Sequence, residues 1–158
     1  AFCRWLELQP FPLKIAESTW LFPAIESVHV VALVLVVGSI MLVDLRLLGR
    51  SSLNLRVTQI FGEVLPLTWC AFAIAAASGL LLFSSRAAEY YGNVPFRIKL
   101  ILLACAGINM LVFHLTTFRT VGEWEQRQPF PLHARAAAGL SLLFWISIVV
   151  FGRWIGFV

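Results

Sequence analysis

The chain reads as an all-α integral membrane protein: an antiparallel four-transmembrane-helix bundle with a short N-terminal interfacial segment. Three observations predict this. Of the 158 residues, 60% are hydrophobic and 13% charged, too little polar surface to cover a soluble domain of this length. The mean hydropathy is +0.88. The apolar residues gather into four runs, about 20–48, 61–83, 96–118 and 134–155. Each reaches the roughly 18 residues that mark a membrane span. Little is left over for a second domain, so residues 1–158 are read as a single membrane domain.

The segment Ala1–Ser18 lacks the apolar core of a secretory signal and carries Pro10 and Pro12. Its Trp5, Leu6, Leu8, Phe11 and Leu13 suit a stretch lying in the membrane interface. The first run opens with Ser18-Thr19 as a cap candidate, tolerates Pro23 in its early turns and ends at Gly49. The second carries Ala71, Ala75 and Gly79 at four-residue spacing. The third has Ala104 and Gly107, and the fourth opens with Ala136-Ala137-Ala138-Gly139. Small residues let membrane helices approach closely, so these surfaces are expected at helix contacts. Trp20, Trp124 and Trp154 fall at span ends, as an aromatic belt requires. Trp145 and Asn109 sit mid-span at one level, which suggests an indole–amide contact.

Four spans put both termini on one side, called side A. It holds Arg4, Lys14, Arg86, Arg97, Lys99 and Arg153, against Arg46, Arg50, Arg56, Arg119, Arg127 and Arg135 on side B. The even tally selects no orientation under the positive-inside rule. The net charge of +4 suits an anionic membrane surface. No basic run or aromatic-studded basic face points to nucleic acid. The three cysteines, Cys3, Cys70 and Cys105, form no CxxC pair, and Cys70 and Cys105 read as packing residues. No glycine-rich phosphate loop, nucleophile elbow or HExxH is present. The midplane offers little beyond Gly38-Ser39, Asn109 and Trp145, without the broken helices of transporters.

The chemistry-bearing candidates are histidines and charges inside apolar runs, where an ionisable group is costly. His29 lies about 8 Å from its span centre toward side A, His114 about 9 Å toward side B and His133 about 16 Å toward side B. Neutral imidazole is a strong haem or metal ligand. His114 is therefore the first candidate for haem and metal, His29 the second, with His133 or Met41 as partners of His114 by depth. Arg46, Arg119 and Arg135 are available on side B for propionates. Charges also fall in layers. Glu26 is expected to pair with Lys99 or Arg153, and Asp44 with Arg119 or Arg135, because a lone charge in lipid is expensive. The bland alternative holds for every one of these residues: histidines satisfied at helix contacts, and charges that pair or snorkel.

Glu26-Ser-Val-His29, Val43-Asp-Leu-Arg-Leu-Leu-Gly49, Phe96-Arg-Ile-Lys99, Asn109 with His114, Ala134-Arg135 and Gly152-Arg-Trp-Ile155 give the chain its pattern. By these motifs, nearly the whole chain resembles a family of small four-span bacterial inner-membrane proteins without an assigned function. The resemblance implies a multi-pass protein of the bacterial inner membrane. In architecture alone, a four-helix membrane bundle with histidines is similar to b-type cytochromes of the b561 kind. That likeness implies haem b and electron transport between a redox partner and the quinone pool. It would make the lipid bilayer and quinone partners, and a homo-oligomer or a subunit of a larger membrane complex the assembled form. Two other classes fit the same residues: a non-catalytic membrane subunit or assembly protein, and a small transporter.

Overall fold

The computed structural model describes residues 2–50, 56–126 and 129–157, and these contain helices and turns but no strand. Arg127, counted above on side B, lies outside the described residues. Helices α1 (Phe2–Glu7) and α2 (Pro10–Glu17) precede α3 (Leu21–Leu47) and α4 (Val57–Ser85). Helices α5 (Ala87–Gly92), α6 (Val94–Val112), α7 (Val121–Trp124) and α8 (Leu132–Trp154) follow. Between α6 and α7 the helical path widens into a π-turn at Phe113–Thr117 and tightens into a 3-10 turn at Phe118–Thr120. Four stretches, ending in Leu47, Ser85, Trp124 and Phe157, are long and apolar enough to cross a membrane, so this is a multi-pass membrane protein.

Local chemistry sets the helix ends. The Ser18 hydroxyl accepts the Leu21 amide at 3.1 Å and caps α3. At its other end Gly49 takes φ +70°. The Gly49 amide then donates to Arg46 O and the Arg50 amide to Leu45 O, which closes the helix with a glycine-dependent motif. In α4, the amide and hydroxyl of Thr58 both donate to Glu125 Oε2, at 3.2 and 2.8 Å. A carboxylate from a distant turn thus supplies the negative cap that a helix N-terminus favours. Asn93 Oδ1 caps α6 through the Phe96 amide. Pro10 in the first turn of α2 gives up no helical bond.

The register is antiparallel. On α3 and α4, His29 meets Ser78 and Ser39 meets Thr68. On α6 and α8, Asn109 meets Ala137 and Lys99 meets Gly152. Side A carries α1, α2 and α5. The N-terminal helices lie against α3, α4 and α5, and Glu7 Oε1 accepts the Ala88 amide. Phe2, Trp5, Leu8 and Phe11 remain exposed, as an interfacial segment requires.

The four spans do not form an even ring. The α3–α4 pair is the most closely packed, followed by α6–α8 and α3–α8, whereas the backbones of α4 and α6 scarcely approach. Rings join α4 to α6 near their ends. Phe61 lies 4.7 Å from Phe118 and 5.8 Å from Phe113 and His114, centroid to centroid. Phe83 stacks on Phe96 at 5.5 Å. Ala71 and Ala75 are buried as expected, and Gly79 meets the His29 ring. On α8 the inward residues are Ala134 and Ala138, while Ala136 and Gly139 face outward. Trp20 and Trp154 are exposed as belt residues. Trp124 departs from that expectation: it is buried in the side B core, its indole donating to Thr117 O.

Candidate functional site

Where α4 and α6 stay apart, the four spans line a cavity of about 190 Å³ that is only partly enclosed. For comparison, an apolar cavity of about 150 Å³ in another protein holds benzene. Phe61, Trp69, Phe72, Phe113 and Trp145 supply aromatic wall. Its polar side chains are few: Asp44, Thr68, Asn109, His114 and Ser141, besides the Trp145 indole. Trp69 is half exposed, on the α4 side of the open seam.

Two of these groups are satisfied internally. Thr68 Oγ1 lies 2.8 Å from Ser39 Oγ and 2.9 Å from Val64 O. Asn109 Nδ2 donates to Ala137 O at 2.9 Å, tying α6 to α8. This replaces the anticipated contact with Trp145, whose indole makes no hydrogen bond among the described residues. The amide reaches a backbone carbonyl of α8 one turn from Ser141.

Asp44 and His114 are different. Asp44 is 5% exposed. The Ser141 hydroxyl reaches its carboxyl group, but Oδ2 is buried with no hydrogen-bond partner among the described residues. An orphaned buried acceptor is uncommon and costly. His114 sits in the π-turn, a distortion that recurs at functional sites. Its Nδ1 lies 3.0 Å from Met110 O. A carbonyl only accepts, so in the neutral ring Nδ1 carries the proton and Nε2 is a bare acceptor. Phe61, Phe113 and Phe118 pack around the imidazole and fix its orientation.

The remaining candidates are scattered. His29 is at the opposite end, its Nδ1 3.0 Å from Ser78 Oγ and its ring against Gly79. Ser78 contacts His29 and Phe61 contacts His114, and these two are 17 positions apart along α4. That separates the imidazoles by about 25 Å along the helix axis. Met41 is 45% exposed and outside the cavity wall. His133 is exposed at the start of α8. No candidate therefore stands opposite His114, and the residues do not fit a haem held by paired axial ligands. Among the described residues no three His, Cys, Asp or Glu side chains converge on a metal position.

The expected ion-pair layers are also corrected. Glu26, Lys99 and Arg153 join no ion pair among the described residues, nor does Asp44. An ion pair instead joins Arg86 to Glu89 at 3.9 Å, on the surface. Lys99 lays its chain along Gly152, and Arg153 reaches over the Phe157 ring. Glu26 points outward at the membrane edge. Arg119 and Arg135 are exposed on side B while Asp44 faces the interior, so equal depth did not mean equal azimuth. Arg46 lies over Phe130, and Arg135 lines a shallow side B pocket with Leu48 and Pro129.

The cavity level was marked in the sequence by three interruptions of apolar runs: Thr68, Ser141 and Pro66. Pro66 lies inside α4 and removes the amide that would bond the Gly62 carbonyl. The aromatic wall carried no such mark.

Neither a curated protein nor a solved structure matches the chain. One family model does, over residues 21–158, and so takes in all four spans and every residue of the cavity wall. By that match the chain belongs to DUF6644, a family of unknown function.

Proposed function

We propose that this protein binds a small membrane-dissolved ring of the quinone class in the α4–α6 cavity. The carrying observation is the pairing of a ring-sized, aromatic-walled space with a buried Asp44 Oδ2 that nothing among the described residues satisfies. Ligand sites are mostly apolar with a few polar groups that fix orientation. Among the lining residues Trp69 of α4 and Gly107 of α6 are exposed on the outer surface of the bundle, which supports a lateral route for a ligand dissolved in the bilayer. The separation of His29 from His114 favours a quinone-class ligand over haem carriage in this reading. The resemblance to small four-span bacterial inner-membrane proteins supports that membrane as the location. The exposed apolar faces of all four spans leave room for a second copy or a larger complex beside the lipid.

The test is calorimetric titration of purified protein in nanodiscs with decylbenzoquinone and with its quinol. Saturable binding of at least one is expected. Gly107 lines the cavity and has open space where a Cβ would stand. Gly107→Leu should fill that space and weaken binding about tenfold or more with the fold retained. Binding that survives Gly107→Leu unchanged would place the ligand elsewhere. The same preparation should show no Soret band, and a band abolished by His114→Ala would restore the haem reading.

A further inference from the structure

Resting on that reading, the unpartnered atoms also specify the form of the ring. We infer that the cavity selects a hydroxyl-bearing ring, a phenol or quinol, over one whose oxygens only accept, through His114 Nε2 and Asp44 Oδ2.

The argument begins with the imidazole. His114 Nδ1 is committed to Met110 O at 3.0 Å. Nε2 has no partner among the described residues and in the neutral ring can only accept. Turning the imidazole over would exchange its nitrogens at the cost of the Nδ1 bond to Met110 O. A carbonyl or ether oxygen set against Nε2 places two acceptors face to face. A hydroxyl supplies the missing donor.

Asp44, on α3, gives a compatible answer. Ser141 reaches the carboxyl, and Oδ2 is left over. As a carboxylate, Oδ2 accepts from a hydroxyl. Were the proton on Oδ2, it would donate, and a hydroxyl oxygen can accept. A hydroxyl therefore serves Asp44 in either protonation state, and with the proton on Oδ2 it can also give its own hydrogen to His114 Nε2, whereas beside a carboxylate its one hydrogen goes to one of the two acceptors. A quinone carbonyl serves Asp44 only in one state and does not serve His114 in the neutral ring. Both wall residues thus favour a ring that carries a donor–acceptor group. This asymmetry holds without any electron or proton transfer.

A pair of redox-inert probes isolates the point. Para-propylphenol and para-propylanisole have the same ring and the same tail, and differ in whether the oxygen carries a proton. Wild-type protein in nanodiscs should bind the phenol about tenfold more tightly, the scale of one buried acceptor left unpaired. His114→Phe keeps an aromatic ring among Phe61, Phe113 and Phe118 and removes the acceptor. It should remove most of the phenol's advantage while leaving anisole binding unchanged, the remainder being the share of Asp44. Should that variant fail to fold, His114→Gln retains an acceptor and should keep part of the preference. Equal binding of both probes by wild type overturns this inference and leaves the cavity reading standing. Binding of neither probe and neither quinone form overturns the cavity reading itself. A preference retained in full by His114→Phe would transfer the selection to Asp44 alone and refute the role of His114.

Discussion

The two seams of α4 behave differently. Toward α3 it presents Ala71, Ala75, Ser78 and Gly79, and the helices close until His29 lies against Gly79. Toward α6 it presents Phe61 near one end and Phe83 near the other, with little backbone approach between them. Small residues make a membrane seam by letting backbones meet, whereas large rings make one by acting as spacers. The first seam fills its own volume and the second leaves a cavity. One helix can therefore serve stability on one face and ligand access on the other.

The comparison breaks most visibly at the spacer. Phe61→Ala removes the ring that touches Phe113, His114 and Phe118, and should cost about 3–5 kcal/mol in folding free energy, measured by denaturant titration in mixed micelles. Phe83→Ala, on a less buried ring, should cost less. If both variants are near neutral, the rings do not hold the seam. Next is overpacking of the tight seam. A Cβ at Gly79 would stand 3.0 Å from His29 Cε1. Gly79→Leu should therefore lose about 1–3 kcal/mol by the same assay. The same substitution at Gly107 should cost far less, since it grows into open space. A third and smaller effect concerns the cap that anchors α4. Thr58→Ala deletes the 2.8 Å hydroxyl bond to Glu125 but keeps the amide bond, for a loss of about 0.5–1 kcal/mol. The smallest sharpens the contrast by its sign. Gly107→Ala should stabilise by about 0.5–1 kcal/mol through helix propensity, read as a raised melting temperature. A loss instead would show that the cavity at Gly107 is already filled.

The spans were legible because composition and length alone decide what crosses a bilayer. Gly49 and Ser18 marked the ends of α3 through side-chain and backbone chemistry that acts within a few residues. The site was legible only in part. Depth along each helix can be counted from the sequence, but rotation about the axis cannot when nearly every face is apolar. By count Asp44 and Arg135 share a layer, yet Asp44 is buried and Arg135 exposed. Hence Asp44 was assigned to an ion pair rather than to a cavity. His114 stood out as an imidazole in an apolar run, whereas its ring cage of Phe61, Phe113 and Phe118 was indistinguishable from ordinary lipid-facing aromatics. The π-turn was hidden for another reason: no local residue choice announces it.

The π-turn at Phe113–Thr117 has a bearing on how such a chain can change over generations. A wide turn is in effect one residue more than an α-helix would use over the same rise. Most single-residue insertions or deletions in a membrane span rotate everything beyond them by about 100° and scramble the interior face. Here a deletion within the wide turn could relax the helix to regular α geometry and leave the segment that follows in place. Histidine could thereby be rotated out of the cavity, or brought back by the reverse event, without rebuilding the bundle. The segment is a point at which ligand preference can be gained or lost by length rather than by substitution.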